Sequence, residues 1–380
     1  MKSKMPRGGH RNGQTRRLTR ALSLALLLLL IGSLVLTACG GDDDDDDDTT
    51  ATTPVGTVPV GASTETAASP TAGGTGGAPT AVTLGLTFIP NIQFAPFYVA
   101  IEKGYFADAG VDVTLRHHAV GEDQFGALVA GQEQLMMAAG DEVLQAVGRG
   151  VEMTYIAEVY REYPVALIVP ADSDIESLED LAGHSIGIPG EYGASWHGLL
   201  ALLGSADLTR DDVTIQSVGF TQVSALVTGQ VDAVMGYANN EPIQIDKAGM
   251  EVRTFPVSDA LNLMSNGIVG LDTWIDANEE TTRAVVAGLL RGIEFVLANP
   301  EEAVEISKEY VPTLIDDQSV SDAQEILEAT LPFIAADQGD PLGSSSIGDW
   351  EATLTFLQEN SLIEGTVDVD DVWSDDYLPS

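Results

Sequence analysis

Two kinds of hydrophobic pattern alternate along most of the chain. Short, nearly continuous apolar runs, typical of buried strands, are followed by stretches in which apolar residues recur every three or four positions, as on one face of a helix. The first run, Val82 to Phe88, precedes a predicted helix that Pro90 and Asn91 open and that extends through Ile101. This alternation predicts an α/β fold with mainly parallel sheets and flanking helices.

The same alternation continues to the end of the chain. Further strands are predicted at 111–115, 135–139, 151–157, 165–169, 185–188, 213–218, 231–235, 252–256 and 268–271. Further helices are predicted at 125–130, 142–147, 178–181, 194–203, 222–228, 242–248, 281–297, 301–310, 321–331 and 350–360.

A second α/β run begins near Ile175 and separates two parts of an outer block. We therefore expect two lobes joined by crossovers near 166–172 and 262–270. Lobe 1 is predicted to comprise residues 81–168 and 266–380, and lobe 2 residues 169–265. The carboxyl ends of the strands would then face a cleft that closes on a ligand.

Residues 1–38 have the features of a bacterial lipoprotein signal peptide. Seven basic residues precede a charge-free, mostly apolar stretch at 21–35, which is shorter than the roughly 20 residues that span a bilayer. The stretch ends in Leu36-Thr37-Ala38-Cys39, which resembles a lipobox. We predict that Cys39 is acylated and anchors an exported protein to the outer face of the cell membrane, rather than being a buried or free thiol. The pair Arg16-Arg17 leaves both the general and the twin-arginine export routes open.

Residues 39–80 are predicted to form a disordered tether. Seven consecutive aspartates, Asp42 to Asp48, repel one another, and the Thr-, Gly- and Pro-rich stretch after them lacks large apolar residues that offset chain entropy.

The charge balance excludes several classes of partner. The chain has a net charge of −41, and removal of residues 1–38 leaves 10 Lys and Arg against 58 Asp and Glu, a net charge of −48. Such a field excludes nucleic acid and anionic lipid surfaces as partners and disfavours a strongly anionic ligand. A solvated acidic surface, as in a salty or acidic habitat, explains the composition without any functional use.

Several strings, taken together and in order over residues 82–310, resemble one family of solute-binding proteins. The most specific are Pro90-Asn91-Ile92-Gln93-Phe94-Ala95-Pro96-Phe97-Tyr98, Gly219-Phe220-Thr221-Gln222-Val223 and Asn239-Asn240-Glu241-Pro242. The family serves ABC importers of thiamine pyrimidine precursors and riboflavin, and more distantly resembles sulfonate- and nitrate-binding proteins. The resemblance implies a two-lobed periplasmic-binding fold of type II, an ABC permease and ATPase as partners, and a flat, nearly neutral nitrogen heterocycle as ligand. We expect a monomeric binding protein that is not an enzyme, has no cofactor, and touches the membrane only through its lipid anchor.

A flat heterocycle requires aromatic faces and a few fixed hydrogen-bond partners. The candidates lie on the first helix and near inferred strand ends. The predicted ligand-binding residues are Asn91, Gln93, Phe94, Tyr98, Asp141, Tyr163, Tyr192, Gly193, Ala194, Ser195, Tyr237, Asn240 and Glu241.

Each candidate also has a structural alternative. The aromatic residues are equally typical of a core. Ser195 either lines a helix N-terminus that binds an acceptor or only caps that helix. Glu241 is the preferred polar anchor, since a carboxylate can accept two hydrogen bonds from an aminopyrimidine edge, but Pro242 is also typical of a plain helix start. For Asp141, helix capping and ligand contact are likewise both open interpretations.

Three other functions compete with the binding hypothesis. The related pyrimidine synthase carries a cysteine-rich motif, whereas Cys39 is the only cysteine here, which leaves no cysteine for a disulfide or a thiolate metal site. A sulfonate or nitrate site calls for more positive or donor-rich loops, and a ligand-sensing lipoprotein would report to a receptor. No metal site is expected, because His117 and His118 are adjacent on a strand and face opposite sides.

Overall fold

The computed structural model describes residues 79–119, 122–123, 125–335 and 340–379. The predicted signal peptide, Cys39 and the tether up to residue 78 lie outside the described residues, and their assignments remain predictions.

The described residues form ten strands and twelve α-helices. The strands are β1 (Thr80–Leu86), β2 (Val111–His117), β3 (Leu135–Ala139), β4 (Met153–Glu158), β5 (Val165–Pro170), β6 (Ser185–Ile188), β7 (Thr214–Ser217), β8 (Ala233–Tyr237), β9 (Val252–Pro256) and β10 (Asn266–Leu271). The helices are α1 (Ala95–Glu102), α2 (Tyr105–Asp108), α3 (Gly126–Val129), α4 (Gly140–Gly148), α5 (Gly193–Ser205), α6 (Gln222–Val227), α7 (Glu241–Lys247), α8 (Asp272–Ala277), α9 (Glu279–Ala298), α10 (Pro300–Ser307), α11 (Asp317–Ile334) and α12 (Ile347–Glu359).

The strands form two mixed sheets of five strands each. The first has the order β2-β1-β3-β10-β4, and the second β7-β6-β8-β5-β9. In the first sheet β10 is antiparallel to both of its neighbours, and in the second sheet β5 is antiparallel to both. The other strands of each sheet run in one direction, which confirms the predicted α/β class with mainly parallel sheets.

The chain passes between the two sheets twice, and the first passage differs from the predicted one. The strand β5 pairs with β8 and β9, with Val165 opposite Tyr237. Residues 165–168 therefore belong to the second sheet, and the first crossover lies at 159–164 rather than at 166–172. A continuous apolar run indicates a buried strand but does not indicate which sheet the strand joins. The second crossover, between β9 and β10, lies close to the predicted position.

The first sheet is covered on both faces. On one face, Leu84 and Leu86 of β1 pack in a cluster with Phe97 of α1 and Leu289 of α9, and all four side chains are fully buried. Strand β3, which is buried along all five residues, lies in the middle of this sheet. A strand covered on both faces is apolar without alternation, which is why the sequence pattern predicted it correctly.

The opposite face of the first sheet shares a core with the second sheet. Tyr155 of β4 meets Trp350 of α12 edge to face, with ring centroids 5.1 Å apart. The same cluster continues through Val143 of α4 into Leu199 of α5 and Leu167 of β5. A further cluster, around Ile168 and Leu226, covers the other face of the second sheet. All of these cores lie within residues 79–379, so this part of the chain carries its own hydrophobic interior.

The first helix begins later than its proline predicts. The Asn91 side chain accepts a hydrogen bond from the Gln93 N–H (3.0 Å) and starts a 3-10 turn at Ile92–Phe94. The α-helix then starts at Ala95, with Pro96 in its first turn, where a missing N–H costs nothing. Within the described ranges no helix is both long enough and apolar enough to cross a bilayer.

Close packing at β10 generates a stability prediction. A Cβ at Gly267 would lie 2.0 Å from Cζ of Tyr155 and 2.4 Å from the Ala157 carbonyl oxygen. We expect Gly267→Ala to lower the free energy of unfolding by about 1–3 kcal/mol or more, because the strand or the tyrosine must move. Urea unfolding followed by circular dichroism measures the change.

The matched control is Gly204→Ala on α5. There a Cβ would meet no atom of another part of the described chain within 4 Å, and alanine in a helix is favoured over glycine by about 0.5–1 kcal/mol. We expect this variant to be unchanged or stabilised. Equal stability of both variants would contradict the packing at Gly267.

Candidate functional site

A cavity of about 120 Å³ lies where strand ends of the two sheets face each other. A single buried water needs a cavity volume of only about 10–15 Å³, so this cavity has room for part of an organic molecule. Thr87 and Phe88 follow β1, Pro189 follows β6, and Asn240 follows β8. This position is the one at which α/β sheets bind ligands, outside the carboxyl ends of their parallel strands. We call it the inner cavity.

Nine predicted site residues line the inner cavity, together with nine that the sequence did not single out. The predicted ones are Gln93, Phe94, Tyr192, Gly193, Ala194, Ser195, Tyr237, Asn240 and Glu241. The additional ones are Thr87, Phe88, Met137, Glu142, Tyr160, Pro189, Phe220, Gln222 and Asn266.

Aromatic side chains form much of the lining. Phe88, in the loop after β1, and Phe220, in the loop after β7, meet edge to face with centroids 4.6 Å apart, and both line the cavity. Phe94, Tyr160 and Tyr237 add further ring surface. Aromatic pairs contribute about 0.5–1.5 kcal/mol beyond area burial, so the Phe88–Phe220 pair both walls the cavity and holds the two lobes together.

Two buried amides in the lining each have an atom without a hydrogen-bond partner in the described protein. Gln93 is 9% exposed, and its Nε2 donor is unpartnered. Asn266 is 6% exposed; its Nδ2 donates to the Tyr237 hydroxyl (3.3 Å), while its Oδ1 acceptor is unpartnered. Buried polar atoms are usually hydrogen-bonded. The cavity therefore offers one donor and one acceptor to a ligand.

The first turn of α5 lines the inner cavity. Tyr192 occupies the N-cap position with no side-chain cap, and Gly193, Ala194 and Ser195 follow. Ser195 is thus not the helix cap, and the alternative of a purely capping role is wrong. The first N–H groups of a helix have no partner within the helix, so this turn can present backbone donors to a ligand.

Glu241 is held within the turn that joins β8 to α7. Its Oε2 accepts from the Tyr237 N–H (2.7 Å), and its Oε1 accepts from Asn240 Nδ2 (3.1 Å). Burial raises the pKa of this carboxyl above its ordinary value. Both oxygens thus have protein partners. The role of Glu241 as principal anchor stays a prediction, and Gln93 and Asn266 offer a ligand polar contacts besides it.

Two aromatic or polar candidates on the first helix do not line the inner cavity. Asn91 caps the 3-10 turn, as described above. Tyr98 is fully buried and stacks on Tyr310 with centroids 4.5 Å apart and an angle of 10° between the rings. The ring packs α1 against the segment just after α10 rather than lining the inner cavity, and its predicted ligand contact stays a prediction.

Asp141 and Tyr163 also lie outside the inner cavity, in a buried network between the two lobes. The Tyr163 hydroxyl donates to Asp141 Oδ2 (2.7 Å), and His197 Nδ1 lies 2.8 Å from the same oxygen. All three side chains are at most 1% exposed. The Asp141 backbone belongs to α4, Tyr163 to the first crossover and His197 to α5. In this structure both residues serve the buried network, and their predicted ligand contacts stay predictions.

The Asp141 carboxylate controls the charge of His197. Burial is the largest single effect and lowers the pKa of the imidazole, but the charge and hydrogen bond of Asp141 and the charge of Glu142 together raise it more, so that the pKa lies above its ordinary value. Burial and the same carboxylate raise the pKa of Tyr163 far above its ordinary value. The network therefore favours a protonated imidazole beside Asp141, with the Tyr163 hydroxyl as a second donor to the same oxygen.

A second, larger cavity of about 480 Å³ adjoins the inner one, and we call it the outer cavity. Thr87, Glu142, Tyr192, Gly193 and Phe220 line both cavities. The outer cavity also contains ionisable side chains that the inner one lacks. These are His118, Glu122, Asp123, Arg149, Glu191 and His197.

The histidines are not arranged as metal ligands. His118 Nε2 lies 2.8 Å from buried Glu133, whereas His117 Nδ1 lies 2.9 Å from the Phe88 carbonyl oxygen. Among the residues that the structure describes, no group of three or more His, Cys, Asp or Glu side chains is placed to hold a metal ion.

Comparison with known proteins identifies the family. A family model described as NMT1/THI5-like matches residues 91–303, more than half of the chain. The chain belongs to the NMT1/THI5-like family. The resemblance inferred from the sequence strings is thereby confirmed.

Relatives of this NMT1/THI5-like chain include binding proteins and enzymes. It is 34% identical over 305 residues to the riboflavin-binding protein RibY of Chloroflexus aurantiacus, covering 78% of this chain and 86% of that protein. It is 26% identical over 300 residues to the formylaminopyrimidine-binding protein of Halalkalibacterium halodurans (76% and 88%). It is 22% identical over 302 residues to a 4-amino-5-hydroxymethyl-2-methylpyrimidine phosphate synthase of Legionella pneumophila (78% and 92%).

Solved structures confirm the fold. The periplasmic aliphatic sulphonate binding protein SsuA of Escherichia coli superposes with a TM-score of 0.62 at 16% identity, covering 79% of this NMT1/THI5-like chain and 99% of that one. The likeness confirms the predicted periplasmic-binding-protein fold.

The buried network generates a pH-dependent prediction. Because the folded pKa of His197 lies above its ordinary value of 6.5, the bound proton stabilises the native fold at low pH, and this stabilisation is lost as the pH rises through the folded pKa. In Asp141→Asn the imidazole loses its anion, and burial alone then disfavours its charge. We expect a loss of about 3–5 kcal/mol in the free energy of unfolding, larger at about pH 5.5 than at about pH 8. Urea unfolding at both pH values measures it.

The double variant Asp141→Asn/His197→Gln is the control, because it removes the titrating group. Its loss relative to the native chain should vary with pH only by the contribution that protonated His197 makes in the native protein, and so less than the loss in Asp141→Asn. A loss in Asp141→Asn that does not depend on pH would contradict the ion pair.

Proposed function

We propose that this protein is the extracytoplasmic ligand-binding component of an ABC importer and captures a flat, uncharged nitrogen heterocycle between its two lobes. Riboflavin and a thiamine-related aminopyrimidine are the candidate ligands, as the names of two relatives suggest. The observation that carries the proposal is an aromatic-walled cavity with one buried unpartnered donor and one buried unpartnered acceptor.

The hydrogen-bonding pattern of the cavity fits such rings. Flavins present ring carbonyls and an imide N–H along one edge, and aminopyrimidines present ring nitrogens beside an amino group. Gln93 supplies the donor and Asn266 the acceptor that an edge of this kind needs. Phe88, Phe94 and Phe220 supply apolar faces for the ring itself.

The charges in the inner cavity argue against an inorganic anion or a sulfonate. None of its described lining residues is Lys, Arg or His, and two of them, Glu142 and Glu241, are carboxylic acids. An anion would enter this cavity without an opposite charge, which is costly away from water. Likeness to a sulfonate-binding structure extends to the fold and does not supply the missing cations.

The residues of the two cavities favour a binding protein over an enzyme like the synthase relatives. The described lining of the inner cavity contains neither histidine nor cysteine, and Cys39 is the only cysteine in the sequence. His118 and His197, in the outer cavity, are each paired with a buried carboxylate. These residues suit a cavity that holds a ligand unchanged.

The sequence features around the domain support delivery to a permease. The predicted lipid anchor at Cys39 would keep the domain at the outer face of the membrane, and the tether would let it reach a permease whose ATPase drives import. We propose a monomer that contacts the membrane only through this anchor. A ligand-sensing role would require a receptor in place of the permease.

The central test is ligand binding by residues 40–380. We expect riboflavin or 4-amino-5-hydroxymethyl-2-methylpyrimidine to raise the melting temperature with increasing concentration. Gln93→Leu and Asn266→Leu should each weaken binding by about 5- to 150-fold, because a hydrogen bond to a buried group is worth about 1–3 kcal/mol in such substitutions. Isothermal titration calorimetry measures the affinities.

Gln318→Leu is the matched control, since Gln318 is an exposed amide on α11 that lines neither cavity. Its affinity should equal that of the native chain. Stabilisation by taurine or nitrate, with no response to either heterocycle, would overturn the proposed ligand class.

The aromatic pair generates a second test of the same cleft. In Phe220→Ala the edge-to-face contact with Phe88 is lost, so we expect faster ligand dissociation, by about two- to twelvefold for a pair worth about 0.5–1.5 kcal/mol. Phe220→Leu keeps apolar bulk and should show a smaller effect. Stopped-flow displacement measures the rates, and an unchanged dissociation rate in Phe220→Ala would show that the pair does not hold the closed lobes.

A further inference from the structure

The outer cavity is larger and has more carboxylates than the inner cavity, in which we propose that the ring binds. Its volume of about 480 Å³ is four times the 120 Å³ of the inner cavity, and the two share five lining residues. A ligand consisting of one small ring would leave the outer cavity unused. A larger ligand with a polar substituent would occupy both.

The charges of the outer cavity are mostly negative. Glu122, Asp123, Glu142 and Glu191 contribute four carboxylates, against Arg149 as the one arginine of the described lining. Glu122 and Glu191 form partly exposed ion pairs with Arg116 and Arg210, and the four carboxylates still outnumber these three arginines. The two histidines add no free positive charge, because each lies 2.8 Å from a buried carboxylate. Carboxylates accept hydrogen bonds from hydroxyl groups and repel phosphate.

The carboxylates of the outer cavity lie next to the inner cavity, in which we propose that the ring binds. The unpartnered buried amides of Gln93 and Asn266 mark the adjoining inner cavity as a ligand site on separate grounds. The negative outer cavity then determines which substituent a bound heterocycle can carry.

We propose that the outer cavity accepts an uncharged, hydroxyl-rich side chain of the heterocycle and excludes the phosphate monoester of the same compound. This inference rests on the proposed function and selects within it: riboflavin should be preferred over a small aminopyrimidine, over a flavin without its polyol chain, and over flavin mononucleotide. The protein thereby takes up the dephosphorylated vitamin from a mixture.

The test is a titration of residues 40–380 with riboflavin, lumiflavin and flavin mononucleotide, followed by quenching of flavin fluorescence, and with 4-amino-5-hydroxymethyl-2-methylpyrimidine by calorimetry. We expect riboflavin to bind at least tenfold more tightly than each of the others. The gap to flavin mononucleotide should narrow in about 1 M NaCl, where the Debye length falls to about 3 Å, while the gap to uncharged lumiflavin should remain.

A charge-matched pair of variants locates the effect. Asp123→Asn/Glu191→Gln removes two exposed carboxylates of the outer cavity and should strengthen flavin mononucleotide binding at least threefold without changing riboflavin binding as much. Glu294→Gln/Glu301→Gln removes two exposed carboxylates from α9 and α10, which line neither cavity. The second variant should leave the riboflavin preference unchanged.

Three results would overturn the inference while leaving the proposed function standing. These are equal affinity for riboflavin and flavin mononucleotide, equal affinity for riboflavin and lumiflavin, or tight binding of the aminopyrimidine without any flavin binding. If none of the heterocycles binds and taurine or nitrate does, the proposed function itself fails, and the inference fails with it.

Discussion

The direction of the parallel strands is the constraint on which the rest of this structure depends. Each sheet has one reversed strand, and the chain crosses between the sheets twice. Loops after β1, β6 and β8 consequently meet at one cavity, although more than 150 residues separate Phe88 from Glu241 in the sequence. Asn266 joins them from the amino end of β10, because an antiparallel strand begins at the edge where its neighbours end.

The sequence predicted the sheets well because their strands are buried on both faces. The run Leu135–Ala139 has no polar residue, so its burial is evident without knowing its neighbours. The crossover before β5 was placed too late for the opposite reason: Val165 to Val169 is equally apolar in either sheet, and pairing with β8 is information that local pattern does not contain.

The site likewise contains residues that the local sequence pattern predicts and residues that it does not. Gly193 to Ser195 and Asn240-Glu241 were predictable, since they follow strands and begin helices. Phe88 likewise follows a strand and Phe220 precedes a helix. From the sequence, however, Phe88 was assigned to the end of its strand, and Phe220 was noted only within a family string. The pairing of Asp141 with His197 could not be predicted, because the two residues lie 56 positions apart in the sequence. Only the packing of α4 against α5 shows that the carboxylate is already paired.

The two unpartnered amides connect ligand recognition with closure of the lobes. Leaving a buried polar group without a partner costs about 1–3 kcal/mol, and the closed cleft buries both Gln93 Nε2 and Asn266 Oδ1. The Phe88–Phe220 contact favours closure by about 0.5–1.5 kcal/mol, which is less than the cost of two such groups. On these terms closure is unfavourable until a ring with a matching acceptor and donor enters. A ligand of the right shape but the wrong hydrogen-bonding edge would leave that cost in place, so the same two side chains that bind the ligand also decide whether the lobes stay shut around it.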